Sequence, residues 1–100
     1  MPAVSRVGDS LTTGHGCDGT TTIASSNTDG SVKADSINVI VVGAPTSAHT
    51  ILSGIVCVPH SSQLNAGSSS VFIQGIAVGR VGDSADAGAM TSGSPSVYAG

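Results

Sequence analysis

The chain has no tryptophan and no glutamate, one Phe, one Tyr, three Leu and three Lys or Arg among its 100 residues. Each shortage excludes something. With Arg6, Lys33 and Arg80 as the only fixed cations and a net charge of −3, the sequence offers no basic patch for nucleic acid or an anionic membrane surface. No unbroken apolar run exceeds four residues, as at Val39 to Val42, and four are too few to span a bilayer. No charged-then-apolar leader opens the sequence, so a secretory signal is not expected. The shortage of bulky apolar side chains limits what a core can contribute. Burial yields about 25 cal/mol per Å², against ordering costs of ~1.5 kcal/mol per residue. A single domain spanning 1–100 therefore needs bracing by a metal, a disulfide or a protein surface. Disorder is disfavoured by a mean hydropathy of +0.30 and the small net charge.

What is present points to strands. Val (12) and Ile (7) outnumber Leu (3), and β-branched side chains suit pleated backbone. No ten-residue stretch carries helical apolar spacing free of Gly or Pro. The fold class is all-β.

Internal repetition organises the sequence. Residues 77–84 read Ala-Val-Gly-Arg-Val-Gly-Asp-Ser, and residues 3–10 read Ala-Val-Ser-Arg-Val-Gly-Asp-Ser. A degenerate third copy aligns Ser31-Val32 and Val42-Gly43 with Ser70-Val71 and Val81-Gly82, with Ala44 standing where Asp9 and Asp83 stand. Gly67-Ser-Ser-Ser-Val-Phe72 recurs as Gly93-Ser-Pro-Ser-Val-Tyr98. Three related β units in pseudo-threefold arrangement are expected, each with a tight hairpin, at Gln74-Gly75 or Asp35-Ser36, and a Val-Gly turn. Recurrence of Asp9 and Asp83 with that turn assigns them to backbone capping rather than catalysis.

Every His and Cys falls in the long polar stretches between units, Ser10 to Gly30 and Pro45 to Gly67. The ligand-capable set is His15, Cys17, His49, Cys57 and His60, with Cys57 and His60 in C-x-x-H spacing. Loops from three units delivering ligands to one point would form a closed four-coordinate zinc site, supplying folding energy that the thin core lacks. A Cys17–Cys57 disulfide is the alternative use of the two thiols. Enzymatic activity is not expected, because no nucleophile, base and orienting group fall together in any motif.

The Arg-Val-Gly-Asp and Gly-Ser-x-x-Val-aromatic phrases resemble those of the PAAR-repeat proteins, the short tips of contractile phage tails and type VI secretion systems. The resemblance implies a small conical domain of β-hairpins with one zinc at its apex. It implies a base seated on a homotrimeric β-helical spike, one tip chain per trimer, that sharpens the spike for piercing a cell envelope. It places the chain at a virion tail tip or in a secreted injection apparatus, made in the bacterial cytoplasm, touching the target membrane only during piercing. Family members hold zinc with three His and one Cys, and His15, His49 and His60 match the imidazoles. The family's Cys commonly follows the last Val-Gly-Asp in a Ser-Cys-Gly phrase, whereas this chain reads Asp86-Ala87-Gly88. Cys57 is taken as the replacement ligand, with Cys17 as the alternative. Val71, Phe72, Ile73, Val97 and Tyr98 are the expected spike contacts. The competing functions are a secreted, disulfide-braced β binding module and a small zinc hydrolase.

Overall fold

The β-branched composition yields an all-β chain. In a computed structural model that describes residues 1–100, there is no helix, and ten short strands pair as five separate antiparallel hairpins. They are β1 (Ser10–Thr12) with β2 (Thr20–Thr22), β3 (Lys33–Ala34) with β4 (Ile37–Asn38), β5 (His49–Ser53) with β6 (Val56–His60), β7 (Phe72–Ile73) with β8 (Ile76–Ala77), and β9 (Ser84–Ala85) with β10 (Gly88–Ala89). Two of the turns are those expected. Asp35 and Ser36 join β3 to β4 at φ 54° and 67°, and Gln74 and Gly75 join β7 to β8 at 54° and 79°, the left-handed geometry that matches strand twist in two-residue hairpins.

The repeats meet along their backbones. The Ser5 amide donates to the Gly79 carbonyl (2.9 Å), Gly79 to Ile40 (2.9 Å) and Ile40 back to Ser5 (3.2 Å), closing a cycle. Bridges Val4↔Arg80, Val41↔Val78 and Arg6↔Val39 flank that cycle. Beyond it the chain turns at Gly8, Gly43 and Gly82, with φ of 88°, 93° and 91°. The three glycine amides donate to the carbonyls of Ile23, Leu64 and Met90, each at 2.9 Å. On the other side, Val39, Val78 and Val4 donate to Val32, Val71 and Val97. Ala3↔Tyr98 is thus the counterpart of the Lys33↔Asn38 and Phe72↔Ala77 pairs.

Asp9 and Asp83 cap the turns as expected. Each carboxylate accepts the amide of Arg6 or Arg80 (2.7 and 2.8 Å) and pairs with that residue's guanidinium. In the middle copy Val41 and Ala44 replace Arg and Asp together, and the Val41 amide donates to the Ser26 carbonyl instead (3.2 Å). The charged cap has been exchanged for an apolar pair and a backbone acceptor. Both residues are fully buried.

The core is two clusters of seven buried residues. One joins Val4, Val39, Val41, Val78 and Ile73 with Ala34 and Ala99. The other joins Leu11, Ile23, Ile40, Leu64 and Met90 with Ala44 and Ala85. At the hydrogen-bonded cycle the three matched positions carry Ile40, Ser5 and Gly79. A Cβ on Gly79 would lie 2.5 Å from Leu64 Cδ2 and 3.0 Å from Ile40 Cγ1, so one large side chain fills the space over the cycle and its counterparts must be small. Ile40→Ala should therefore lower unfolding free energy by roughly 2–5 kcal/mol, and Gly79→Val by about 1–3 kcal/mol through overpacking. Denaturant titration of the Ile40→Ala/Gly79→Val double variant should give less than the sum of the two losses, because each change relieves the other.

Candidate metal centre

The three hairpins that follow the glycine turns supply the site. In β5–β6 the register sets His49 directly opposite His60, so both imidazoles leave the same face of one hairpin. His15 lies in the loop between β1 and β2. That loop lies against the β9–β10 turn: the Ala87 amide donates to the Thr13 carbonyl (2.9 Å). A Cβ on Gly14 would sit 2.1 Å from the Ala87 oxygen, and Gly14 has φ 74°. Only glycine passes there, and the next residue, His15, is thereby set against Asp86. The Asp86 amide donates to Gln63 (3.0 Å), and Asn65 Nδ2 donates to the Asp86 carbonyl (2.9 Å), fixing the turn that carries the carboxylate.

The donor atoms converge. Asp86 Oδ2 lies 3.0 Å from His15 Nε2 and 2.9 Å from His49 Nε2, while Oδ1 lies 3.4 Å from His60 Nε2. His15 and His49 Nε2 are 3.3 Å apart, and one donor atom from each residue falls within 4.8 Å of all the others. His15 and His49 stack, and His60 stands edge-on to both. His49 is buried, and the Asp86 side chain is only 7% exposed.

The outward nitrogens identify what the centre needs. His49 Nδ1 lies 2.9 Å from the Ser47 carbonyl oxygen, and His15 Nδ1 lies 3.2 Å from that of Gly16. A carbonyl only accepts, so each Nδ1 carries a proton, and each Nε2 facing the Asp86 carboxylate either carries the second proton of a charged ring or presents a lone pair. Without inner protons, two Nε2 lone pairs 3.3 Å apart beside a carboxylate would repel one another, so protons or a cation belong among them. Imidazoles oriented by carbonyls toward a common point are what a metal-binding histidine set requires. The group of His15, His49, His60 and Asp86 could hold a metal ion.

Cys57 does not join it. Cys57 is bonded to Cys17, with a Cα–Cα distance of 5.9 Å. The reason is strand periodicity: three residues apart on β6, Cys57 and His60 point to opposite faces, so C-x-x-H cannot chelate here as it does on a turn. Neither thiol is free. The fourth donor of the group is Asp86, which was not among the expected ligands and stands one residue before Ala87, the position that the Ser-Cys-Gly phrase gives to cysteine. No spacing in the sequence singled it out.

Among the expected spike contacts, Val71, Phe72, Val97 and Tyr98 are exposed and line one apolar depression with Val32. Ile73 is a partial correction. It borders the same depression but is buried in the first core cluster, because alternation along β7 turns Phe72 outward and Ile73 inward.

Protonation follows from these contacts. Burial opposes charging His15, but the Gly16 carbonyl and the Asp86 carboxylate outweigh it, and its pKa lies above the ordinary 6.5. Burial likewise opposes ionising Asp86, yet hydrogen bonds from His15, His49 and His60 hold its carboxyl below the ordinary 3.8. No protein-family model matches the sequence, and no curated protein matches it.

Two signs follow for the metal-free chain. The Asp86 contribution to stability is present above 3.8 and is lost as pH falls through its lower folded value. The His15 contribution is present below 6.5 and is lost as pH rises through its higher folded value. A divalent ion competes with those protons, so its affinity rises with pH. Titration of stripped protein with zinc should give one ion per chain, weakening as His15 protonates. Asp86→Asn should cost at least the roughly 10–100-fold that loss of an outer partner costs a metal site. Replacing both cysteines by serine should weaken the ion through the lost cross-link but leave the stoichiometry at one, whereas zinc binding that requires prior reduction of the disulfide would return Cys57 to the ligand set.

Proposed function

We propose that the chain is a PAAR-like tip: a structural protein, with one zinc ion, that caps a homotrimeric β-helical spike of a contractile injection machine. The observation that carries this reading is the pairing of a four-donor centre with an apolar face built from matched positions of the three repeats. Val32, Val71 and Val97 occupy equivalent places, each accepting an amide from Val39, Val78 or Val4. All three are exposed, as are Phe72 and Tyr98. Contiguous apolar surface of this kind marks a contact site. The closed cycle through Ser5, Ile40 and Gly79 supports pseudo-threefold geometry, and such a face fits the end of a trimer, whose strand edges need covering.

Three imidazoles and a carboxylate suit zinc as a closed, four-coordinate structural ion. In this reading the ion ties together three hairpins that share little core, and it gives the far end its stiffness. The role is mechanical, and the site residues have no substrate to act on. Work at a virion tail tip or in an exported apparatus is supported by the Cys17–Cys57 bond, which persists in oxidising surroundings.

That same bond favours a second reading, the secreted disulfide-braced binding module whose polar loops recognise a protein or glycan. The module does not use the apolar face around Phe72. The two separate in one experiment. Mixed with the spike trimer of its own particle, the chain should form a complex of one tip per trimer by light scattering. Phe72→Asp should weaken that complex on the order of 30-fold or more, as expected for an aromatic anchor. A chain that stays free beside that spike, yet binds a glycan or protein through its loops, overturns the cap in favour of the module.

A further inference from the structure

The β5–β6 hairpin runs on past the metal centre. His49 and His60 form its first pair and Ser53↔Val56 its last, so the turn lies four residue steps, about 13 Å, beyond the imidazoles. Exposure climbs along it, from buried His49 to Leu52 at 52%, Val56 at 55% and Ile55 at 98%. An Ile at the apex of a turn, touching nothing, is the reverse of ordinary loop chemistry. The outermost residues read Leu52-Ser53-Gly54-Ile55-Val56, and no residue from Ile51 to Pro59 is ionisable apart from the bonded Cys57.

The stem of this hairpin is fastened to its neighbour. The Cys17–Cys57 bond and the Cys17↔Ile51 bridge fasten the hairpin to the neighbouring loop. Asp18 accepts both the amide and the hydroxyl of Thr50. The fastening reaches as far as the Leu52↔Cys57 pair and stops.

We propose that Leu52, Ile55 and Val56 form a bilayer-inserting tip, whose partner is the uncharged interfacial region of a lipid membrane. Charge argues for that occupant. Arg6, Lys33 and Arg80 all lie outside this hairpin and its neighbouring loop, so attraction to anionic headgroups is not the driving force, whereas apolar contact is. Shape and polarity agree. The tip is convex, and Ser53 supplies its one polar side chain, too little to orient a protein partner or satisfy a glycan. The outer edges of a two-stranded hairpin remain unpaired, which forbids deep insertion. A depth of roughly 5–10 Å, the acyl boundary, matches the free length.

The inference needs neither the spike nor the metal. Three side chains should give weak partitioning, on the order of the 10⁴ M⁻¹ of a single myristoyl chain or below. The test is flotation of the full, oxidised chain with neutral phosphatidylcholine vesicles at millimolar lipid. Wild type should float, and adding phosphatidylglycerol or salt should change little. Ile55→Asp should reduce partitioning at least about tenfold, since a charge is disfavoured at apolar depth, while its disulfide and metal content stay intact because nothing packs on Ile55. The chain has no Trp, so Ile55→Trp places a single indole at the apex, and its emission should shift to the blue and be quenched by brominated lipid. Phe72→Asp should float like wild type, which separates this surface from the spike face. Failure of wild type to float overturns the proposal. Flotation on anionic vesicles alone, equal flotation of Ile55→Asp, or self-association through the tip without vesicle binding would also overturn it.

Discussion

Three amides, of Ser5, Ile40 and Gly79, each donate to the carbonyl of the next, and this closed cycle decides where the other segments go. It cannot form from one or two repeats. Beyond it come three left-handed glycine turns, at Gly8, Gly43 and Gly82, each followed by a hairpin. Bridges Ile23↔Thr46, Leu64↔Ala85 and Leu11↔Met90 then join each hairpin to the next. Placement of the site's side chains follows from this scaffold rather than from local sequence. His15 and Asp86 are 71 residues apart along the chain, yet their donor atoms are in hydrogen-bonding contact.

A chain so poor in bulky side chains holds its far end by other means. The disulfide spans 40 residues, which in the loop-entropy view is worth about 4 kcal/mol. It fastens the hairpin of His49 and His60 to the loop of His15. The inner ring nitrogens then crowd the Asp86 carboxylate, where protons or a cation must bridge them. The cross-link brings the rings together, and the charge between them, a proton or a metal ion that the group could hold, answers a different problem, their mutual repulsion. With a carboxylate in the group of possible donors, both cysteines are committed to the bond.

Much of this was legible in the residues. The repeated Arg-Val-Gly-Asp phrase located the turns and their caps, and the two-residue hairpins at Asp35-Ser36 and Gln74-Gly75 were readable because left-handed positions restrict which residues serve. The segregation of histidines into the polar stretches singled out His15, His49 and His60. What failed was an assumption about local geometry. C-x-x-H reads as a chelate on a turn, but Val56–His60 is a strand, and its alternation sends Cys57 outward. Asp86 stayed hidden because one acidic residue among six has no spacing signature, and only the assembled hairpins give it neighbours. Ile73 was misjudged on a smaller scale, for nothing in Val-Phe-Ile says which side chain of the pair faces the core.

The divergence of the repeats matters as much as their likeness. Three identical units closing on a cycle would deliver three equal ligands, or six, and would crowd three equal side chains at Ile40, Ser5 and Gly79. Four donors fit no such scheme. The chain departs from equality at those places: one hairpin gives two imidazoles, one gives a single imidazole and one gives a carboxylate, while the space over the cycle takes one Ile, one Ser and one Gly. The middle unit, which has lost its Arg–Asp cap for Val41 and Ala44, is also the one with the longest hairpin, the two histidines and the apolar tip. Fusing the units in one chain lets each diverge at its own position while the shared backbone cycle stays closed. That freedom is unavailable to an assembly of identical subunits, and it leaves matched valines on one face beside an unequal set of donors in the hairpins that follow the glycine turns.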